Sequence, residues 1–151
     1  LCNVYAMIGG SGSTLALVVL LLVLGKKGSA ERSIGKVAII PGLFGINEPV
    51  TFGLPIVFNP IMFLPFVFVP VINAIVGYVA TAAGWVNHLV VLNSGVEPVF
   101  ANAWVLGAFT ISPVILMVAL FALDLVLYYP FVKLQIKQNS ETAENVGVTV
   151  E

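Results

Sequence analysis

The sequence predicts an all-α integral membrane protein, and three observations carry that prediction. The chain of 151 residues is 60% hydrophobic and only 9% charged, with a mean hydropathy of +1.10, far from the mix of a soluble globular domain. Residues 37–131 contain no Lys or Arg, and their only acidic residues are Glu48, Glu97 and Asp124. The apolar sequence also comes in stretches long enough to cross a hydrocarbon core of about 30 Å, which takes roughly twenty helical residues. The six basic residues form no long run and no aromatics interleave with them, so nucleic acid is not an expected partner. The single cysteine, Cys2, excludes an intrachain disulfide framework and a cysteine-rich metal site. No metal and no cofactor is expected.

The first transmembrane helix is expected over residues 4–24. Its first half carries the small-residue patch "GGSGST", residues 9–14, which is read as close helix packing or a helix interruption rather than a phosphate cradle. "GKKGSAERSIGK", residues 25–36, holds most of the positive charge and reads as a cytoplasmic loop by the positive-inside bias. Lys133 and Lys137 follow the last apolar stretch and put the C-terminus on the same side. An even number of crossings must lie between these two anchors. Helices over about 61–85 and 99–129 supply two, the second with Trp104 and Tyr128–Tyr129 as interfacial anchors, and residues 86–98 turn outside with His88 as an interfacial residue.

Residues 37–58 are then left without a crossing and must enter and return on one side. Pro41, Gly42, Gly45, Pro49, Gly53 and Pro55 forbid a long helix here, since each proline removes a backbone donor and crowds the preceding turn. A re-entrant hairpin results, with the Asn-Glu-Pro motif at its tip, and irregular backbone at membrane depth survives only where it is buried in protein or lines a wet cavity. Pro60, Pro65 and Pro70 imply a kinked, packed helix beyond it. The polar, acidic residues 138–151 read as a disordered cytoplasmic tail. The chain opens on Leu1 with no signal-peptide pattern, so it is read as a fragment whose upstream half is missing.

Glu48 is the residue that points to function. A carboxylate in hydrocarbon is costly, and residues 37–131 offer no base to pair with it. Asn47 supplies a donor and an acceptor, ionised Glu48 supplies acceptors, and Pro49 breaks the helix so that nearby backbone groups are left to bind a ligand. A carboxylate beside an amide reads vicinal hydroxyls, as on a sugar; the same oxygen donors also suit a cation. Phe44, Phe52 and Asn59 are candidates for lining the pocket.

"IPGLFGINEPVTFGLPIVFNPIMFLPF", residues 40–66, resembles the signature region of the membrane-embedded enzyme IIC component of the lactose, cellobiose and chitobiose branch of the bacterial phosphotransferase system. "IGGSGSTLALVVLLL" and "YYPFVK" on either side agree with it. The resemblance implies that residues 1–137 are the C-terminal, substrate-binding part of a permease that carries a disaccharide across the plasma membrane. It also implies that the sugar's 6-hydroxyl is presented to a phosphorylated enzyme IIB partner, that the protein is a homodimer through an absent N-terminal half, and that Glu48, with Asn47 beside it, contacts the sugar.

The remaining candidates are weaker. Cys2 ahead of a Gly/Ser/Thr run lies in an apolar segment rather than a soluble phosphocysteine domain, so no catalytic residue and no phosphoacceptor is assigned to this chain. Asp124 is expected near the cytoplasmic end, reaching water or Lys133, and Glu97 is expected to start the last helix. Two other functions stay open: an ion-coupled secondary transporter, since such carriers also use broken helices, and a membrane remnant without transport.

Overall fold

A short helix, α2, forms the hub of the structure because its sequence, "TLALVVLLLVL", is apolar on every side. In the computed structural model, which describes residues 2–86 and 97–147, α2 spans Thr14–Leu24 and packs against both α3 (Ala30–Leu43) and α7 (Ser112–Gly147). All regular structure among the described residues is helical. Besides these, α1 covers Cys2–Tyr5, α4 Glu48–Gly53, α5 Pro60–Ala82 and α6 Val99–Leu106, with a 3₁₀ turn at Ile56–Phe58. One core joins α2 to Ala38, Val50, Ile56, Met62, Val69, Tyr128 and Val132. A second joins Tyr5, Ile8 and Leu15 to Ala103, Leu106, Met117 and Leu120.

Among the described residues two helices are long and apolar enough to cross a membrane, α5 and residues Ser112–Thr142 of α7, whose most apolar eighteen-residue windows have mean hydropathies of 2.1 and 2.2. Both present bare apolar faces: Phe68, Val71, Ile75 and Val79 on α5, and Ile115, Val118 and Val126 on α7, are exposed. Such faces suit contact with lipid or with further protein, and they are far from what a water-facing helix carries.

The elements differ from the sequence expectation in four places. Where one helix over 4–24 is expected, the chain breaks between α1 and α2, because Gly9, Gly10, Gly12 and Ser13 all have positive φ and cannot continue a helix. The hydroxyls of Ser13 and Thr14 donate to the carbonyls of Ala6 and Gly9 across this turn, so its backbone acceptors are not left bare. The cytoplasmic loop expected over 25–36 is shorter, since Ser29 caps α3 by accepting from the Arg32 N–H and Glu31 sits in the favourable first turn. The span expected over 99–129 is two helices, interrupted where Ala108 and Phe109 turn left-handed and the Trp104 indole donates to the Phe109 carbonyl. Finally, α7 runs on through the expected tail to Gly147, carried by the Lys137–Glu141 pair one turn apart and by side-chain contacts to two other helices.

Those contacts set the level of the chain's other parts. The Asn139 amide of α7 donates to the Glu31 carboxylate at the start of α3, and the Asn59 amide, at the start of α5, donates to Gln135 of α7. Gln135 and Asn139 are one helical turn apart. Residues 31 and 59 therefore lie at one level, and the chain between them goes out along α3, turns at residues 44–47, and comes back through α4 and the 3₁₀ turn. The remaining expected features, the external turn around His88 and the last residues 148–151, lie outside the described residues.

Candidate functional site

The turn of this helical hairpin, together with the Gly-rich turn before α2, frames a cavity of about 320 Å³. Four parts of the chain line it: Val4, Met7, Gly10 and Ser11 from the first segment; Phe44, Gly45, Asn47 and Glu48 from the hairpin tip; Glu97, Val99 and Asn102 at the start of α6; and Met117 on α7. Its size falls at the small end of ligand pockets, which run from roughly 300 to 1,000 Å³.

Local backbone rules place each hairpin residue. Pro41 cannot donate to the helix, and its own carbonyl accepts from the N–H groups of Phe44 and Ile46, which closes the end of α3. Gly45 then takes a φ of 79°, and Asn47 becomes the residue before α4, its carbonyl accepting from Val50, Thr51 and the Thr51 hydroxyl. Proline at position 49 falls in the first turn of α4, where its missing N–H costs nothing. The side chain of Asn47 donates to the Ser11 carbonyl at 2.6 Å, tying the two turns together. Gly10 makes this approach possible. A Cβ there would stand 2.8 Å from the Gly45 carbonyl oxygen and 2.9 Å from the Asn47 side chain.

Glu48 is exposed at the cavity, and its carboxylate makes no side-chain hydrogen bond or ion pair among the described residues. Its neighbour is pinned and it is not. Glu97 brings a second carboxylate to the same cavity and Asn102 a second amide, both engaged in contacts of their own. The polar rim is thus rich in acceptors, while Val4, Met7, Phe44, Val99 and Met117 provide apolar walls. That combination suits a ligand with many hydroxyl donors and a face of C–H groups.

Of the residues singled out from sequence, Asn47, Glu48 and Phe44 meet at the cavity. Phe52 does not line it; it lies one turn further along α4 than Glu48 and is 79% exposed. Asn59 does not line it either, because its carboxamide is spent in capping α5, accepting from the Ile61 and Met62 N–H groups while donating to Gln135. Glu97 and Asn102 are what sequence reasoning missed. The available signal was that Glu97 is one of only three acids in residues 37–131, although its position before Pro98 also fits a helix start.

Asp124 also departs from expectation. It is fully buried rather than near water, it forms no ion pair with Lys133, and its Oδ1 accepts from the Asn73 amide at 2.8 Å.

Comparison with known proteins gives a consistent picture. The sequence profile of the family described as "Phosphotransferase system, EIIC" matches residues 2–70. Over 143 residues the chain is 41% identical to the PTS system cellobiose-specific EIIC component of Geobacillus stearothermophilus, covering 91% of this chain and 31% of that protein. It is 35% identical over 140 residues to the PTS system lactose-specific EIICB component of Streptococcus mutans, covering 86% of this chain and 23% of that protein. A crystal structure of the transporter ChbC, the IIC component from the N,N'-diacetylchitobiose-specific phosphotransferase system, matches with a TM-score of 0.84 at 40% identity, over 94% of this chain and 33% of that one. The chain spans about a third of the length of these last-named and first-named relatives.

Proposed function

This chain belongs to the EIIC family of the phosphotransferase system, and we propose that it forms the sugar-binding end of a permease for a disaccharide of the cellobiose, chitobiose or lactose type. In this reading the sugar's hydroxyls donate to the Glu48 carboxylate, Asn47 is held in place beside it, and Phe44 and the other apolar side chains pack on the sugar's faces. The observation that carries the reading is the unpartnered Glu48 carboxylate at an acceptor-rich cavity. Glu97 and Asn102 line the same cavity. The permease then presents the 6-hydroxyl to phosphorylated enzyme IIB, which supplies the phosphoryl group; the membrane protein contributes position.

The setting we propose is a multi-pass protein of the bacterial plasma membrane, a homodimer, with its C-terminus in the cytoplasm. Support for one cytoplasmic end comes from the bonds that join the start of α3 and the start of α5 to residues 135 and 139 of α7, close to all six basic residues in sequence. From that level to Met117 at the cavity is roughly 27 Å along α7. A hairpin that leaves and returns at one level, and reaches that far, supports a re-entrant loop carrying Glu48 into the bilayer.

Equilibrium binding of cellobiose and chitobiose to the full-length protein in detergent or nanodiscs, with native Glu48 and with Glu48→Gln, tests this. Binding of either sugar that weakens at least ten-fold in the variant supports the reading. Sugar-independent binding of sodium that depends on Glu48 contradicts it in favour of an ion-coupled carrier.

A further inference from the structure

Behind the cavity lies a polar cluster that the sugar reading does not use. The Asn73 amide of α5 spends both hydrogens, one on the Asp124 Oδ1 of α7 and one on the Ser13 hydroxyl at 3.1 Å. Ser13 passes its own hydrogen to the Ala6 carbonyl, and Tyr128, one turn beyond Asp124, donates to the Gly12 carbonyl. All four side chains are fully buried. Two oxygens are left over: the Oδ2 of Asp124 and the Oδ1 of Asn73 are buried with no partner among the described residues.

Hydrogen-bond accounting decides the state of this pair. Two orphaned buried acceptors on one bonded acid and amide are costly as they stand, and an ionised carboxylate there has no cation to offset it. The titratable group facing it is Tyr128 on its own helix, which is buried; among the described residues no Lys, Arg or His pairs with it. A single proton removes both deficits. We propose that Asp124 is a neutral carboxylic acid whose Oδ2–H donates to Asn73 Oδ1, closing a two-bond ring that positions Ser13 and, through the Gly9–Thr14 turn, the sugar-facing Asn47.

The route to the site is short. Residues 10–13 hold Gly10 against Asn47, the Ser11 carbonyl that Asn47 binds, the Gly12 carbonyl that Tyr128 binds, and the Ser13 hydroxyl that Asn73 binds. Asp124 is thereby a positioning residue: it acts on the site through this turn and touches no ligand.

The test uses the full-length protein in nanodiscs. Asp124→Asn keeps the ring, with an N–H in place of the O–H, whereas Asp124→Leu abolishes it. Expected are a protonated-carboxyl infrared band that shifts in D2O, is insensitive to pH across the neutral range and is missing in Asp124→Asn; sugar affinity in that variant within about two-fold of native; and about ten-fold weaker affinity in Asp124→Leu. Absence of that band from the native protein overturns the proposal, as does an Asp124→Asn variant that loses sugar binding or removes a pH dependence of uptake. Should Asp124→Leu fail to fold, the infrared band and the Asn variant still decide. The affinity arms rest on the sugar reading; the infrared arm does not, so failure of the two can be told apart.

Discussion

Replacing Gly10 with alanine puts a methyl group where the structure has none to spare. Gly10 has a φ of 99°, and the new Cβ would lie 2.8 Å from the Gly45 carbonyl oxygen and 2.9 Å from the Asn47 side chain. The left-handed backbone alone costs an alanine about 1–2 kcal/mol. Relief of the clash must push the hairpin tip away and stretch the 2.6 Å bond from Asn47 to the Ser11 carbonyl, whose loss costs about 1 kcal/mol more. The Gly28→Ala control separates the two effects, because Gly28 has a φ of 88° but nothing within 4 Å of its Cβ position. Expected is a stability loss of about 2–3 kcal/mol for Gly10→Ala against about 1–2 kcal/mol for Gly28→Ala, by thermal unfolding of the full-length protein. Sugar affinity, by calorimetry, should fall about ten-fold in the first and stay unchanged in the second. Equal affinities for the two variants would refute the claim that the two turns hold Asn47 in place for the ligand.

Glu48→Gln removes a charged acceptor and should cost about 1.5–3 kcal/mol of sugar binding, while Glu97→Gln should weaken binding as well and couple to it in a double-mutant cycle; additive losses would separate Glu97 from the ligand. Phe44→Ala should weaken sugar binding, whereas Phe52→Ala, truncating an exposed side chain off the cavity, should leave affinity within about two-fold. Burial raises the Glu31 carboxyl, but hydrogen bonds from the Asn139 side chain, its own backbone and Ser29 outweigh it and leave the pKa lowered. Its stabilisation is therefore complete above the unfolded-state value and disappears as pH falls through the lower folded-state value. Asn139→Leu should accordingly be less stable than native at neutral pH, with the gap in melting temperature narrowing in acid; a constant gap would count against the bond.

What the sequence made legible was local. The apolar runs that become α5 and α7 and the proline-marked break of the helix at the Asn-Glu-Pro motif rest on short-range chemistry, and Asn47, Glu48 and Phe44 meet at the cavity for that reason. Closure across the fold was not legible. Glu97 reaches the same cavity from another helix, and Asp124 finds its partner 51 residues away on α5, a pairing that no spacing rule anticipates. The break after α6 rests on Ala108 and Phe109, which carry no compositional mark for left-handed backbone, although Gly107 and Pro113 flank it. Polar composition argued for disorder beyond residue 137, but composition does not see that Gln135 and Asn139 on the same face are bonded to other helices. Asn59 shows the reverse error: a polar residue near the motif, already committed to capping α5 and bonding to Gln135 of α7.

The most direct test of the central claim follows labelled cellobiose and chitobiose into membrane vesicles that carry the full-length protein and the rest of the phosphotransferase chain. The account predicts uptake that requires phosphoenolpyruvate, delivers sugar phosphate to the lumen and collapses in Glu48→Gln. Free sugar accumulating on a sodium or proton gradient, with no need for the phosphate donor, would contradict it.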